Sequence, residues 1–149
     1  PTVYERYKAW ADDYFYLPHR NETRGVGGIF FDHLVPESDE DRIKIFDFCL
    51  ALGRNFPVLY KDQTSEIHPE ATQVQVDWQA LRRSRYVEYN LLFDRGTKFG
   101  IVSNGRTESI LLSMPPSATW KYNYVPDAGS EEEQTIERLK KHVDWISFL

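Results

Sequence analysis

From Val3 to Tyr16 the chain has no glycine or proline, and Tyr4, Tyr7, Trp10, Tyr14 and Leu17 recur at steps of three and four, with Glu5, Arg6, Lys8, Asp12 and Asp13 between them. That repeat predicts an amphipathic helix, which Pro18 stops. A polar, glycine-rich segment follows, His19 to Gly28, and feeds Ile29, Phe30 and Phe31, a short apolar run of strand character. Ser38 and Asp41 have the spacing of a helix N-cap, opening a largely buried helix from Ile43 to about Phe56 and Pro57. Val74, Trp78 and Leu81 mark one face of another helix, from about Glu70 to Arg83.

Beyond Arg83 the period reads as two. Val87, Tyr89, Leu91 and Phe93 alternate with Tyr86, Glu88, Asn90 and Asp94, the pattern of a strand with one polar face. Asp94 to Thr97 reads as a turn, Lys98 to Ser103 as a second strand, Asn104 and Gly105 as a two-residue hairpin loop, and Arg106 to Ser113 as a third strand. Trp120, Tyr122 and Tyr124 alternate as a short strand or an aromatic flap. Ser130 and Glu133 then form a capping box opening a last helix, through Lys141. The expected fold class is therefore α+β in one domain: a three-stranded antiparallel meander from Tyr86 to Ser113, plus a strand near Ile29, flanked by helices.

Composition changes this picture in three places. At 149 residues, 41% hydrophobic and 15% aromatic, the chain is the size of one domain with material for a core. Its net charge of −5 argues against a dedicated nucleic-acid binder, but the window from Leu81 to Arg106 holds six basic residues (Arg82, Arg83, Arg85, Arg95, Lys98, Arg106) against Glu88 and Asp94. An anionic small ligand fits that local reversal. Cys49 is the only cysteine, which excludes an intrachain disulfide, and its apolar neighbours predict a buried, inert thiol. No stretch approaches the roughly 18 apolar residues of a membrane span. The chain starts at Pro1 without an initiator Met, which suggests a fragment.

The glycines of Arg24 to Gly28 invite a phosphate-loop reading, but such loops run from a strand into a helix, and the order here is the reverse. A tight entry into a closely packed strand is the simpler account. Arg20 and Arg24 are either solvated surface arginines or a bidentate clamp for carboxylates. His19, His33, His68 and His142 are too scattered for a metal motif, and His19, beside Arg20 at a helix–loop junction, is the best placed of them. No Ser-His-Asp or Cys-His catalytic set can be assigned. The turn at Asn104, Gly105 and Arg106 is either an exposed loop or a set of converging donors for an anion, and Asp94 and Arg95 are either turn residues or part of the same surface.

Long segments of the chain resemble one family closely. Trp10-Ala11-Asp12-Asp13-Tyr14-Phe15-Tyr16 with His19-Arg20-Asn21-Glu22-Thr23-Arg24-Gly25-Val26-Gly27-Gly28-Ile29-Phe30-Phe31-Asp32, then Arg85-Tyr86-Val87-Glu88-Tyr89-Asn90-Leu91 with Asp94-Arg95-Gly96-Thr97-Lys98-Phe99-Gly100, and finally Arg106-Thr107-Glu108-Ser109-Ile110-Leu111 with Ser113-Met114-Pro115-Pro116 and Trp120, are similar to the oxygen-dependent coproporphyrinogen III oxidases. The likeness covers essentially the whole chain and is weakest from Pro36 to Ala80. It implies an enzyme that oxidatively decarboxylates coproporphyrinogen III to protoporphyrinogen IX in haem biosynthesis, consuming O2 and releasing CO2 and hydrogen peroxide, with no required metal or organic cofactor. The implied fold is a large flat antiparallel sheet flanked by helices, in a homodimer formed through Tyr86 to Lys121.

By matching position, the resemblance implies substrate contacts from Asn104, Gly105 and Arg106, with Arg20, Arg24 and Arg95 as further propionate-binding candidates. It also implies a divalent metal at His19 in some bacterial members. Residues matching the family's proton-transfer groups are expected upstream of Pro1, so no catalytic residue is assigned here, and the chain is read as the C-terminal portion of the enzyme, inactive alone. The alternative is a non-catalytic porphyrinogen-binding or dimerisation module. The expected compartment is the cytoplasm, with the mitochondrial intermembrane space as the alternative.

Overall fold

A computed structural model describes residues 2–25, 30–65 and 70–148. The order of elements is α1 (Val3–Tyr14), α2 (Asp39–Ser65), α3 (Gln73–Leu92), α4 (Arg95–Val102), α5 (Thr107–Ile110), a 3-10 turn (Leu111–Ser113), α6 (Glu131–Arg138) and a second 3-10 turn (Trp145–Phe148). Two compact units result: Pro1–Phe30 together with Thr72–Leu149, and Phe31–Ala71.

The α+β expectation is overturned: among the described residues there is no strand, and the one ladder-like contact is an isolated antiparallel bridge between Leu17 and Glu22. The segment expected as a three-stranded antiparallel meander, Tyr86 to Ser113, is the end of α3 followed by α4, α5 and a 3-10 turn. Ile29, with the strand expected near it, lies outside the described residues, as do Gly27, Gly28 and His68; Phe30 and Phe31 have no regular structure. Trp120, Tyr122 and Tyr124 form no strand either.

The reason lies in which residues α3 buries. Thr72 and Gln75 cap its start reciprocally, and its buried positions are Leu81, Ser84, Glu88 and Tyr89, spaced as one face of a helix. Two of the four are polar. A search for apolar periodicity therefore finds the alternating set Val87, Tyr89, Leu91 and Phe93 and misses the true period.

Asn104 and Gly105 are a related case. Asn104 has φ of 57°, as a hairpin would require, but its N–H donates to the Ile101 carbonyl (3.2 Å) and the Gly105 N–H to the Gly100 carbonyl (2.9 Å). That pair of bonds is a Schellman cap closing α4. The same tolerance of left-handed backbone that favours a hairpin serves to end a helix.

In the first unit, the Thr2 and Glu5 capping box starts α1, and the helix ends at Tyr14, close to the expected stop. Tyr14, Phe15, Phe30 and Tyr89 then form an aromatic cluster, with the Phe15 and Phe30 centroids 4.8 Å apart and Phe15 and Tyr89 5.1 Å apart. The Tyr89 hydroxyl donates to the Tyr14 carbonyl at 3.0 Å, which pins α3 to the end of α1. Thr23 N–H donates to the Leu139 carbonyl at 2.7 Å, tying the loop after α1 to the end of α6.

In the second unit, α2 runs on through Pro57 to Ser65 instead of stopping there, although proline has no N–H to give to the turn before it. None of its residues is buried, and Cys49 is exposed, contrary to the expectation of a buried helix and thiol. Its apolar residues surround the helix, and the described residues of its own unit contain no second helix to cover them.

Candidate functional site: a carboxylate hub beside an arginine-lined cavity

The loop after α1 turns back on itself between Leu17 and Glu22, whose backbones exchange bonds of 2.8 and 3.4 Å. Asn21 takes φ of 52° at this turn, its side chain accepts from the Tyr16 hydroxyl (2.7 Å) and its carbonyl accepts from Lys140 Nζ (3.0 Å). The turn thereby holds His19 and Arg20 against α3.

Their common partner is Glu88. Its Oε2 lies 2.8 Å from His19 Nε2 and accepts from Arg20 Nε (3.0 Å), and its Oε1 accepts from an Arg20 terminal nitrogen (2.6 Å), Trp120 Nε1 (2.9 Å) and Arg85 (3.2 Å). The Arg20 contact is bidentate, the strongest form of this pair. Burial alone pushes the Glu88 carboxyl up, but hydrogen bonds from Arg20, His19 and Trp120 outweigh it and hold the carboxyl at about 2, against an ordinary 4.5. The Arg20 guanidinium is pushed up in turn by its bond to Glu88. A second pair stands beside the first: Arg82 donates to the buried Glu22 at 2.6 Å and lies over the Trp78 ring.

Next to this hub is a cavity of about 460 Å³. Arg24, Arg82 and Arg85 line it together with Phe15, Tyr86 and Tyr89, and Asn90 and Asp94 add polar groups. Arg24 stacks over Phe15 with 4.2 Å to the ring centroid, and burial lowers its proton affinity, as it does for Arg85, where the Arg20 charge adds to the effect. The Tyr89 hydroxyl is pushed up by burial and by Tyr14, so it stays protonated. Guanidinium groups against aromatic walls are suited to a flat ligand that carries carboxylates.

Of the residues expected to bind substrate, Arg24 lines this cavity and Arg20 belongs to the hub. Arg95 is exposed on the first turn of α4, after Asp94, which caps that helix through Thr97 N–H at 2.7 Å. Asn104, Gly105 and Arg106 form the exposed corner between α4 and α5 and do not line the cavity. For a metal at His19 the donors do not fit: among the described residues no group of three or more His, Cys, Asp or Glu side chains could hold an ion, and His19 Nε2 is already engaged by Glu88. The sequence placed Arg82 and Arg85 only within a basic window suited to an anionic ligand, and assigned Glu88 and Trp120 no part in a site. Arg82, Arg85 and Glu88 recur every three residues, a helical signal that the strand assignment concealed.

The comparisons with known proteins decide the family. The coproporphyrinogen III oxidase family model matches residues 1–145. The chain belongs to that family. It is 50% identical over 147 residues to the oxygen-dependent coproporphyrinogen-III oxidase of Francisella tularensis subsp. holarctica (strain OSU18) and 49% identical to that of subsp. mediasiatica (strain FSC147). In both cases 97% of the chain is aligned to 46% of the relative, so the chain spans about half the length of the curated coproporphyrinogen oxidases it matches. No described helix is long and apolar enough to cross a membrane.

Proposed function

We propose that this chain is the part of an oxygen-dependent coproporphyrinogen III oxidase that grips the propionates of the macrocycle. The observation that carries the reading is the convergence of Arg24, Arg82 and Arg85 on one aromatic-walled cavity in a chain whose net charge is −5. A tetracarboxylate substrate needs such a concentration of fixed guanidinium groups. In each decarboxylation a propionate loses CO2 from its end and a hydride equivalent from the carbon next to the ring, leaving a vinyl group. O2 takes the two electrons and, with a further proton, becomes hydrogen peroxide. The reduced macrocycle is itself electron-rich, so the residues of this chain act by orienting it, and no organic cofactor is required.

Asn104, Gly105 and Arg106, with Arg95, would meet a different carboxylate of the same ligand from the α4–α5 corner. The exposed Phe99, Ile101, Val102 and Leu112 in the region from Tyr86 to Lys121 support a homodimer formed there. The bacterial relatives support a cytoplasmic location over the mitochondrial intermembrane space.

The test is anaerobic titration of the full-length protein with coproporphyrinogen III, followed by admission of oxygen and fluorescence assay of the oxidised product. Arg85→Lys and Arg24→Lys are expected to raise KM by about tenfold or more, since each removes a bidentate charged contact worth about 1.5–3 kcal/mol. Unchanged KM in both variants would overturn the assignment of the cavity. Binding without turnover would favour a non-catalytic binding module.

A further inference from the structure

Glu88 is bonded to side chains from four other residues, yet it does not line the cavity. Four donor contacts converge on its two oxygens, and His19 Nε2 makes a fifth close approach. The carboxylate is ionised and both oxygens are occupied as acceptors, so it has no proton to offer to His19. The hydrogen in the 2.8 Å contact must therefore sit on His19 Nε2. A second restraint acts on the same ring: Phe93, the residue that caps α3, stacks on the imidazole at 5.8 Å with an interplanar angle of 19°. Two neighbours thus fix the ring, one choosing the tautomer and the other the plane.

The consequence falls on the other nitrogen. His19 Nδ1 has no hydrogen-bond partner among the described residues, and the His19 side chain is 40% exposed. Arg85, held by the same carboxylate, lines the cavity. We propose that Glu88 is a positioning residue that fixes neutral His19 as the Nε2–H tautomer, so that Nδ1 is presented as an acceptor to a bound molecule while Arg20 and Arg85 are held in a fixed fan beside it. The molecule is an anionic one with a donor group within reach of Nδ1; the effect on turnover rests on the oxidase reading above, whereas the tautomer does not.

The test uses full-length protein labelled with 15N in histidine. The two ring nitrogens of His19, assigned by comparison with His19→Asn, are expected to show a protonated Nε2 and a bare Nδ1. Finding Nδ1 protonated in the unmodified protein overturns the proposal without any variant of Glu88. In Glu88→Gln, whose amide can donate as well as accept, the preference for one tautomer is expected to be lost, and kcat to fall about 10- to 100-fold with KM much less changed. An unchanged tautomer in Glu88→Gln, or a change confined to KM, means that Glu88 only holds the arginines and overturns the proposal. If the unmodified protein does not turn over coproporphyrinogen at all, the oxidase reading fails, and the nitrogen signals still decide the role of Glu88.

Discussion

Helices α2 and α3 are the two longest in the chain, and they reverse the usual relation between apolar character and burial. In α2, 27 residues long, Ile43, Phe46, Leu50, Phe56, Val58, Leu59 and Tyr60 are all exposed and nothing is buried. In α3, 20 residues long, the buried positions include an ionised Glu88 and Ser84 with no accessible surface. A helix is buried where its own unit supplies partners. For α3 those partners are a cationic ring around Glu88, the aromatic cluster at Tyr89, and the Leu81 carbonyl, which accepts from Ser84 Oγ at 2.6 Å. For α2 one such partner is the Phe31 ring, 5.7 Å from Phe48, and none of the helix's residues is buried.

The sharpest way to break this comparison is to remove the carboxylate. Glu88→Ala leaves Arg20 and Arg85 half-buried without their anion, a change expected to cost about 3–5 kcal/mol in urea unfolding. A loss below about 1 kcal/mol would show that packing, not charge pairing, holds α3 in place. Leu81→Ala tests the apolar part of the same face. Leu81 is 2% exposed, so the truncation is expected to cost about 2–5 kcal/mol, toward the lower end if neighbouring side chains collapse into the space.

Acid offers a gentler probe of the hub. The folded-state pKa of Glu88, about 2, lies below its ordinary 4.5, so the unfolded chain binds this proton more readily than the folded one. The stabilisation is present above pH 4.5 and is lost as pH falls from about 4.5 to about 2. The shift corresponds to about 3 kcal/mol, from 1.36 kcal/mol per unit. Urea midpoints measured across that window are expected to fall in the unmodified chain and to fall much less in Glu88→Gln.

Some of this architecture was legible in the sequence and some was hidden for a physical reason. The helix at Val3–Tyr14 could be read because its face toward the first unit is mostly apolar and Pro18 follows it. The caps at Ser38 and Ser130 could be read because a hydroxyl three residues before an acid has a local meaning: Asp41 N–H donates to Ser38 Oγ and Glu133 N–H to Ser130 Oγ, each at 3.1 Å. The second half of α3 could not, because its buried face carries a glutamate and a serine whose partners, His19 and Arg20, lie almost 70 residues earlier. The excess of arginine after Leu81 pointed to an anion, and a cavity lined by Arg82 and Arg85 is there. That Arg85 joins Arg82 there depends on the helix running on past Arg83, where the expected helix stopped. Asn104 shows the same limit from the other side: its left-handed backbone fits a hairpin and a helix end alike, and does not by itself distinguish them.

A smaller effect is expected where α3 begins. The Thr72 hydroxyl accepts from Gln75 N–H at 3.3 Å, and Gln75 Oε1 accepts from Thr72 N–H at 2.9 Å, so Thr72→Ala removes half of a reciprocal cap at an exposed site. The expected cost is about 1 kcal/mol in urea unfolding, near the middle of the range for such caps. A cost near zero would mean that α3 is anchored entirely by its buried second half.

The smallest expected effect belongs to α2. Phe46 is 63% exposed, and phenylalanine and serine differ little in intrinsic helix propensity, so Phe46→Ser is expected to change the stability of this chain by no more than about 0.5 kcal/mol. Helix content by circular dichroism and the urea midpoint are the measurements, made in parallel on this chain and on the full-length protein. A loss of about 2 kcal/mol or more in either would mean that Phe46 is covered by something outside Phe31–Ala71, because a side chain with this much accessible surface has little apolar contact to lose. The contrast between the helices would then be one of which partners are present. Equal, small effects in both proteins would make α2 a helix that tolerates an apolar surface, and the contrast with α3 would be intrinsic to the two sequences.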